Sequence, residues 1–249
     1  MPRYFITLSY NGKNYVGWQI QPNGISIQQK LQEAISLILR SEVDIVGAGR
    51  TDAGVHACKM VAHFDWYDES FSNEDLVFKL NSLLPKDIAI KSIKKVKPDA
   101  HARFSAISRT YKYYVTTDKN PFLNELTNRV SFIPDIDKMN ALCPLLIETE
   151  DFSSFSKLHT DVKTNICKIE FAGWEREGNM YVFKIKADRF LRNMVRAIVG
   201  TLLEAGRGRL DERGLRRIID AKNRQVAGDS APGNALFLED VQYPEYIWV

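Results

Sequence analysis

The chain has 249 residues, and its 45% of hydrophobic and 26% of charged residues are typical of a globular protein that folds in water. Its N-terminal residues MPRYFITLSY alternate in polarity as a strand does, without the continuous apolar segment of a signal peptide, and no apolar run is long enough to cross a membrane. The three cysteines lie far apart and form no Cys-x-x-Cys pair, which argues against a disulfide framework or a zinc cage. These features predict a cytoplasmic protein.

The formal net charge is only +3, but the basic residues are concentrated in two segments. Residues 184–224 contain 12 Lys and Arg against 5 Asp and Glu, and residues 91–119 contain 8 against 2. Two such segments on an otherwise mildly acidic chain indicate a surface that binds a polyanion. An ordinary solvated helix surface fits the same counts equally well, so charge alone does not decide between the two interpretations.

In the first half of the chain, hydrophobic periodicity predicts the order β-α-β-β-α-β. After an alternating N-terminal strand and a turn-rich stretch, Ser26 and Gln29 stand at capping-box spacing in front of apolar residues that recur at helical intervals. Two strands, VDIVGAG and KMVAHFDW, then flank a glycine-rich loop. Ser72 begins a second helix that Pro85 stops, and IAIKSIKKV closes the half as a strand.

The second half is predicted to repeat this order. TYKYYVTT is a strand, residues 136–148 form a helix that Pro144 must bend or break, and two alternating stretches form a hairpin. A helix over residues 189–206, an extra basic helix and the strand NALFLEDVQY follow. We therefore expect an α+β protein made of two ferredoxin-like β-α-β-β-α-β halves, residues 1–105 and 106–249. This repeat rests on pattern alone, because residue identity between the halves is negligible.

The glycine-rich loop GAGRTDAGVHA resembles three ligand-binding motifs only in part. A dinucleotide-binding fingerprint would need its third glycine two positions before Gly54 and a helix after it, and a P-loop would need Gly-Lys-Ser/Thr. Asp52, His56 and His63 are residue types that bind metals. However, His63 alternates within a strand and no His-Glu-x-x-His helix occurs, which favours core or rim histidines and no metal site.

What remains is a loop that presents the carboxylate of Asp52 close in sequence to Arg50. Glycines such as Gly49 and Gly54 tolerate positive φ and let a ligand approach the backbone closely. The same pattern also fits a turn that Asp52 caps, with Arg50 in a surface ion pair. The loop alone therefore does not establish a catalytic role.

Two further features favour a nucleic-acid site. On the predicted helix 189–206, three arginines recur at i, i+3 and i+7 between apolar residues; they are Arg189, Arg192 and Arg196. Such a stripe brings Arg196 close to apolar surroundings, where a guanidinium is costly without a carboxylate partner, although a solvated stripe is the simpler interpretation.

The second feature is Tyr111 in the strand RTYKYY, beside Tyr113 and Tyr114 and flanked by Arg109 and Lys112. Aromatic rings among cations on a sheet suit base stacking. Core packing explains any single tyrosine equally well.

Five sequence blocks resemble the tRNA pseudouridine synthase A family, and they occur in the family's order. They are YVGWQIQPNGISIQQKLQEAI, GRTDAGVHA, HARFSAISRTYKYY, FLRNMVRAIVGTLLEAGRG and AGDSAPGNALFLEDVQYP. Each block alone is only suggestive, but five in order along essentially the whole chain are highly specific. Two departures are mild: Ala100 precedes HARFSA where an aromatic residue is expected, and GNALFL replaces GLYL. Neither touches the loop that carries Asp52.

The resemblance implies one pseudouridine-synthase fold with a central mixed or antiparallel sheet and a cleft between the halves. It implies isomerisation of uridine to pseudouridine at positions 38, 39 and 40 in the anticodon arm of tRNA, by a homodimer without cofactor, metal or membrane. The family's catalytic aspartate falls on Asp52, its base-stacking tyrosine on Tyr111, and its active-site arginines on Arg50 and Arg196. To substrate binding we further assign Gly49, Gly54, Arg109, Arg189 and Arg192.

The residue types suit this reaction. Exchanging a C1′–N1 bond for a C1′–C5 bond requires covalent capture of one fragment while the base turns, and an ionised carboxylate can do that. An adjacent arginine would keep Asp52 charged, and an aromatic platform with a basic rim would receive the flipped nucleotide. Uracil C6 and ribose C1′ are both possible points of attack, and the base that removes the C5 proton is not identified. Two other hypotheses are an RNA-binding module that no longer catalyses and a base-removing hydrolase that uses the same aspartate.

Overall fold

The computed structural model describes residues 1–67, 71–157 and 164–249. The chain divides into two compact units, one formed by residues 1–107 with 238–249 and the other by residues 108–237. The division after residue 107 lies close to the predicted seam. The C-terminal residues 238–249, which the sequence analysis placed in the second half, lie in the first unit.

The described residues contain nine strands and five α-helices. The strands are β1 (Arg3–Tyr10), β2 (Val46–Gly47), β3 (His56–Asp65), β4 (Ile88–Val96), β5 (Ser108–Thr116), β6 (Asn128–Arg129), β7 (Ile169–Glu177), β8 (Met180–Ala187) and β9 (Leu236–Gln242). The helices are α1 (Ile27–Leu39), α2 (Asn73–Leu83), α3 (Ile136–Glu148), α4 (Met194–Gly206) and α5 (Glu212–Asp220). The predicted α+β class is confirmed. None of these helices, in the part of the chain described, is long and apolar enough to cross a membrane.

The first unit has the predicted order β-α-β-β-α-β. Strand β1 pairs antiparallel with both β3 and β4, and β2 pairs with β3. Both predicted helix starts are confirmed, because the side chain of Ser26 accepts a hydrogen bond from the Gln29 N–H at 3.2 Å and that of Ser72 accepts one from the Asp75 N–H at 3.0 Å. The strand predicted over VDIVGAG is reduced to the two residues of β2.

In the second unit the predicted hairpin of β7 and β8 is confirmed. Strand β8 pairs antiparallel with both β7 and β5, while β6 pairs parallel with β5, so the strand pairing is mixed. Helix α3 runs without a break through Pro144, which is exposed. The predicted break is therefore absent: on the solvent side, the carbonyl that loses its helical donor can bind water instead.

The helix predicted over residues 189–206 begins only at Met194. Asn193 precedes it with φ of 66°, a left-handed backbone conformation that cannot continue into a helix. Arg189 and Arg192 therefore lie on the loop before α4, and the predicted arginine stripe along one helix is wrong. Arg196 does lie on α4, whose other faces are buried as predicted.

An asparagine on a helix bonds the backbone of a strand in each unit. Asn140 of α3 donates from Nδ2 to the Trp174 carbonyl at 2.9 Å and accepts from the Trp174 N–H at 2.7 Å. Asn81 of α2 makes the same two bonds with Ile90, also at 2.9 and 2.7 Å. Trp174 lies on β7, which pairs with β8, and Ile90 lies on β4, which pairs with β1. On the other side of each strand, where the described residues supply no further strand, these amides satisfy backbone groups.

We predict that Asn140→Ala lowers the free energy of unfolding by about 2–3 kcal/mol, since it leaves a backbone donor and acceptor of the buried Trp174 without partners. Urea denaturation measures the loss. Asn14→Ala is the control, because Asn14 is exposed and its contact with Asp87 is long, at 3.4 Å; its effect should stay within about 0.5 kcal/mol. Equal small losses in both variants would mean that water replaces the amide of Asn140.

Candidate active site

The sequence prediction centres on the Asp52 loop, which we define as residues 48–55 between β2 and β3. Within it Asp52 is half-buried and Arg50 is exposed, while the neighbouring Thr51 and Val55 are buried. The loop thus has a fixed, buried underside and a surface that presents the carboxylate.

Residues 10–18, which run from the end of β1, make several hydrogen bonds to this loop. The Tyr10 hydroxyl lies 2.9 Å from the hydroxyl of Thr51. The Trp18 N–H donates to the Thr51 carbonyl at 3.2 Å, and the Gly54 N–H donates to the Tyr15 carbonyl at 3.4 Å. These bonds join the two stretches of chain at both ends of the loop.

Two glycines let these stretches touch backbone to backbone. A Cβ at Gly12 would collide with the Val55 carbonyl, and a Cβ at Gly17 would collide with the Thr51 carbonyl. Gly17 also has φ of 112°, which side-chain-bearing residues rarely adopt. The clamp therefore depends on the absence of side chains at these two positions.

His56 and His63 are core histidines, as predicted. Both are buried, and each accepts a backbone hydrogen bond at Nδ1, from Gly12 at 3.0 Å and from Ala102 at 3.1 Å respectively. Burial lowers the pKa of His63 to about 4, so it is neutral at physiological pH. Within the described ranges there is no group of three or more His, Cys, Asp or Glu that could hold a metal ion.

The remaining predicted residues of the loop differ in their surroundings. A Cβ built at Gly49 meets no atom within 4 Å, so space is open there. Gly54 has φ of 76°, which confirms the expected positive φ. Arg50 forms no salt bridge within 4.0 Å with any carboxylate in the part of the chain that the structure describes.

The tyrosines of β5 differ in burial. Tyr113 is fully buried, and its hydroxyl donates to the Pro232 carbonyl at 3.0 Å. Tyr111 is only partly buried, and its ring lies perpendicular to that of Phe190, at an interplanar angle of 89° and a centroid distance of 5.1 Å. Tyr113 is thus a core residue, whereas Tyr111 keeps part of its ring accessible.

Arg196 is held by residues 228–231, which we call the 228–231 segment. This segment follows a short 3-10 helix at Arg224–Val226. Its Nε donates to the Ala231 carbonyl at 2.7 Å, and the Ala231 N–H donates back to the Arg196 carbonyl at 3.0 Å. The segment lies directly on α4, since a Cβ at Gly200 would collide with the Asp229 carbonyl. The plane of the guanidinium is therefore set by backbone contacts.

A polar network around Ser230 holds the same segment. Its hydroxyl accepts hydrogen bonds from Asn193 Nδ2 at 2.6 Å and from the Arg224 guanidinium at 2.7 Å. The bond from Asn193 joins the start of α4 to the segment.

Three further arginines were predicted to bind substrate. Arg109 lies on β5, and Arg189 and Arg192 lie on the loop before α4. Arg109 donates to the Asp188 carbonyl at 2.7 Å, and the Asp188 carboxylate accepts the N–H of Arg189 at 2.7 Å. Arg192 is exposed. In the second unit, Tyr111 contacts Phe190, the residue after Arg189, so it lies in the same region as these arginines. In the first unit, the Asp52 loop contains Asp52, Arg50, Gly49 and Gly54.

Sequence reasoning missed the residues that support both sites. They are Tyr10, Gly12, Gly17 and Trp18 under the Asp52 loop, and Asn193, Arg224, Ser230 and Ala231 around Arg196. The stretches NGKNYVGW and AGDSAPG each contain two glycines outside any helix or strand pattern, and such glycines indicate close backbone contacts. What each glycine touches depends on distant parts of the chain.

Comparison with known proteins identifies the family. The model of the family described as tRNA pseudouridine synthase matches residues 6–105 and 143–244. Proteins named tRNA pseudouridine synthase A from Parabacteroides distasonis and Bacteroides thetaiotaomicron are 62% and 58% identical, each over 100% of this chain and over 98% and 93% of their own lengths. One from Bacillus subtilis is 37% identical over 95% of this chain and 97% of its own. The chain belongs to the tRNA pseudouridine synthase family.

The two segments matched by the tRNA pseudouridine synthase family model contain most of the candidate residues. The first includes the Asp52 loop and residues 10–18, and the second includes Arg196 and the 228–231 segment. Tyr111 and Arg109 lie between the matched segments, within the region that the full-length relatives cover.

Gly47, the last residue of β2, and Gly49, in the Asp52 loop, yield a stability prediction. Gly49→Ala should change the free energy of unfolding by no more than about 0.5 kcal/mol, because the added methyl enters open space. Gly47→Ala should cost about 1–3 kcal/mol, because its methyl would collide with the Trp18 indole. Paired urea denaturation curves measure both. A Gly49 variant as destabilised as the Gly47 variant would contradict the open space described above.

Proposed function

We propose that this protein converts uridine to pseudouridine at positions 38, 39 and 40 in the anticodon arm of tRNA, with Asp52 as the nucleophile. Family membership makes the protein an isomerase that forms pseudouridine in tRNA. The proposal adds to this the modified tRNA positions, 38 to 40, and the roles of the individual residues. The observation that carries it is the half-buried Asp52 carboxylate on a loop whose backbone is held on both sides.

The restraint on the loop supports a role in covalent chemistry. A nucleophile must be held within a fraction of an ångström of its productive position, because misplacement by about 1 Å can reduce a rate roughly a hundredfold. The carbonyls of Thr51 and Asp52 are both hydrogen bonded, to the N–H groups of Trp18 and Val55 at 3.2 Å each. The open space beside Gly49, three residues before Asp52, suits a ribose or a base that approaches the carboxylate.

The proposed reaction uses only the groups of the protein and the nucleotide. The Asp52 carboxylate adds to uracil C6 or to ribose C1′, and the C1′–N1 bond breaks. The base turns, C5 bonds to C1′, and the C5 proton leaves while N1 takes up a proton. If the carboxylate is bonded to C1′, its bond breaks as C5 attacks C1′. If it is bonded to C6, its bond breaks as the C5 proton leaves and the C5–C6 double bond re-forms. Either route regenerates the carboxylate. No oxidant, reductant or metal enters this balance.

In the second unit we propose Tyr111 as the stacking platform and Arg196 as the active-site arginine. Tyr111 is only partly buried, and its ring packs perpendicular to that of Phe190, which supports the ring as a platform for a flipped base. The Arg196 guanidinium has a defined plane, because its Nε is bonded to the Ala231 carbonyl. Arginines with a defined plane suit bidentate contact with a carboxylate or a phosphate.

We propose that the RNA backbone is bound by the exposed cations of the two basic segments. In residues 184–224 at least five cations are paired with carboxylates; they are Lys186, Arg207, Arg209, Arg216 and Lys222. As phosphate contacts of this segment we propose Arg189, Arg192 and two exposed arginines of α5, Arg213 and Arg217. Binding through these groups would weaken as salt rises.

We further propose a cytoplasmic homodimer. All three cysteines are free thiols, which suits a reducing compartment. Sedimentation velocity would give a mass near twice 28.5 kDa for the dimer, and a monomer at micromolar concentration would contradict it.

Asp52→Asn should lower the rate of pseudouridine formation by roughly three orders of magnitude or more, because an amide keeps the shape of the side chain but is a poor nucleophile. The dissociation constant for tRNA should change by no more than about twofold. Unmodified tRNA transcripts are incubated with each protein, and pseudouridine is mapped nucleotide by nucleotide.

The matched control is Asp44→Asn, which removes the same charge at an exposed position before the loop and should behave as wild type. More than a tenth of the wild-type rate in Asp52→Asn would show that another residue is the nucleophile. Pseudouridine outside positions 38 to 40 would contradict the proposed target.

Tyr111→Phe should retain tRNA binding, since it keeps the ring and removes only the hydroxyl, whereas Tyr111→Ala should weaken binding by about 1–3 kcal/mol. Titration of labelled tRNA at fixed salt measures both affinities. Equal weakening in the two variants would show that the ring of Tyr111 is not the platform.

A further inference from the structure

We infer that Tyr10 is a positioning residue of the active site, which orients Asp52 through a hydroxyl pair with Thr51. The inference rests on the proposed role of Asp52. Tyr10 ends β1 and is 5% exposed, and Thr51, which directly precedes Asp52, is 7% exposed. Their hydroxyls lie 2.9 Å apart on the buried underside of the loop.

The bond between the hydroxyls acts on the peptide unit that joins Thr51 to Asp52. Tyr10 holds the side chain of Thr51, and the Trp18 N–H holds its carbonyl at 3.2 Å. With both ends of Thr51 fixed, the peptide plane cannot rotate freely, and this plane fixes the N–Cα bond of Asp52, about which its side chain is placed. On the far side the Val55 N–H holds the Asp52 carbonyl.

Tyr10 is itself held by the sheet. Its backbone lies opposite Ala57 on β3 and Ile88 on β4, and its ring packs against Trp18 at a centroid distance of 6.2 Å. The pairing of β1 with β3 shifts register between Leu8 and Tyr10. Such irregularities near the end of a strand commonly re-aim a side chain, and here the residue after the shift is the one whose hydroxyl meets Thr51.

A purely structural tyrosine and a positioning tyrosine predict different consequences. Loss of a structural hydroxyl lowers stability and leaves the chemical step intact. Loss of a positioning hydroxyl lets the peptide before Asp52 reorient, so the rate of the bound complex falls while tRNA affinity is kept. The distinguishing quantity is the rate at saturating enzyme, compared with the dissociation constant.

The test uses single-turnover pseudouridine formation at saturating full-length enzyme, with tRNA affinity and thermal unfolding measured alongside. The variants are Tyr10→Phe, Thr51→Val, Thr51→Ser and the double variant Tyr10→Phe/Thr51→Val, with Asp52→Asn as the reference. Tyr243→Phe is the matched control, because its hydroxyl donates to the Ala102 carbonyl at 2.6 Å in the same unit, away from the loop.

Tyr10→Phe and Thr51→Val should each lower the single-turnover rate by roughly tenfold to a hundredfold and change the dissociation constant by less than about twofold. The rate of the double variant should equal that of the slower single variant, because both substitutions remove the same bond. Thr51→Ser keeps the hydroxyl and should restore most of the rate. Tyr243→Phe should keep the wild-type rate even if its unfolding temperature falls.

A wild-type rate in Tyr10→Phe, or additive losses in the double variant, would overturn the inference while Asp52→Asn remains inactive. Activity in Asp52→Asn itself would instead overturn the proposed nucleophile. The two failures are therefore distinguishable within one set of proteins.

Discussion

The direct backbone contact between residues 10–18 and the Asp52 loop is the constraint on which the candidate site depends. Gly12 and Gly17 permit it, because a Cβ at either would collide with a carbonyl of the loop. The contact brings the donors of Trp18 and Gly12 within reach of Thr51 and His56. A half-buried carboxylate on such a loop keeps one orientation without an ordering cost at the moment of reaction, which is what covalent catalysis by an aspartate requires.

The second unit fixes its arginine by the same kind of contact. A glycine on α4, Gly200, lets the 228–231 segment lie on the helix, and the Ala231 carbonyl then holds Arg196. In both units a candidate site residue, Asp52 or Arg196, lies where a second segment packs directly against the backbone at a glycine.

Local signals in the sequence predicted much of the fold. The capping residues Ser26 and Ser72 marked the helix starts, polarity marked the strands, and the alternation of His63 marked a core residue. The failures have long-range causes. Asn193 adopts a left-handed conformation beside its bond to Ser230, 37 residues away in sequence, so no helical periodicity could place the start of α4. Asp52, Tyr111 and Arg196 were proposed from residue type and resemblance, whereas the residues that contact them could not be predicted because each contact joins segments distant in sequence.

The measurement that tests the central claim most directly follows the hydrogen at C5 of the target uridine. The tRNA carries tritium at C5 of uridine and is incubated with the enzyme under conditions in which binding is demonstrated. Formation of the C1′–C5 bond forces that hydrogen off while the base stays attached to the RNA, so the account predicts tritium in water, in step with turnover, without released uracil. Labelled uracil in solution would indicate a base-removing hydrolase, and label retained in intact tRNA would show that the protein binds without isomerising. Either result would contradict the account.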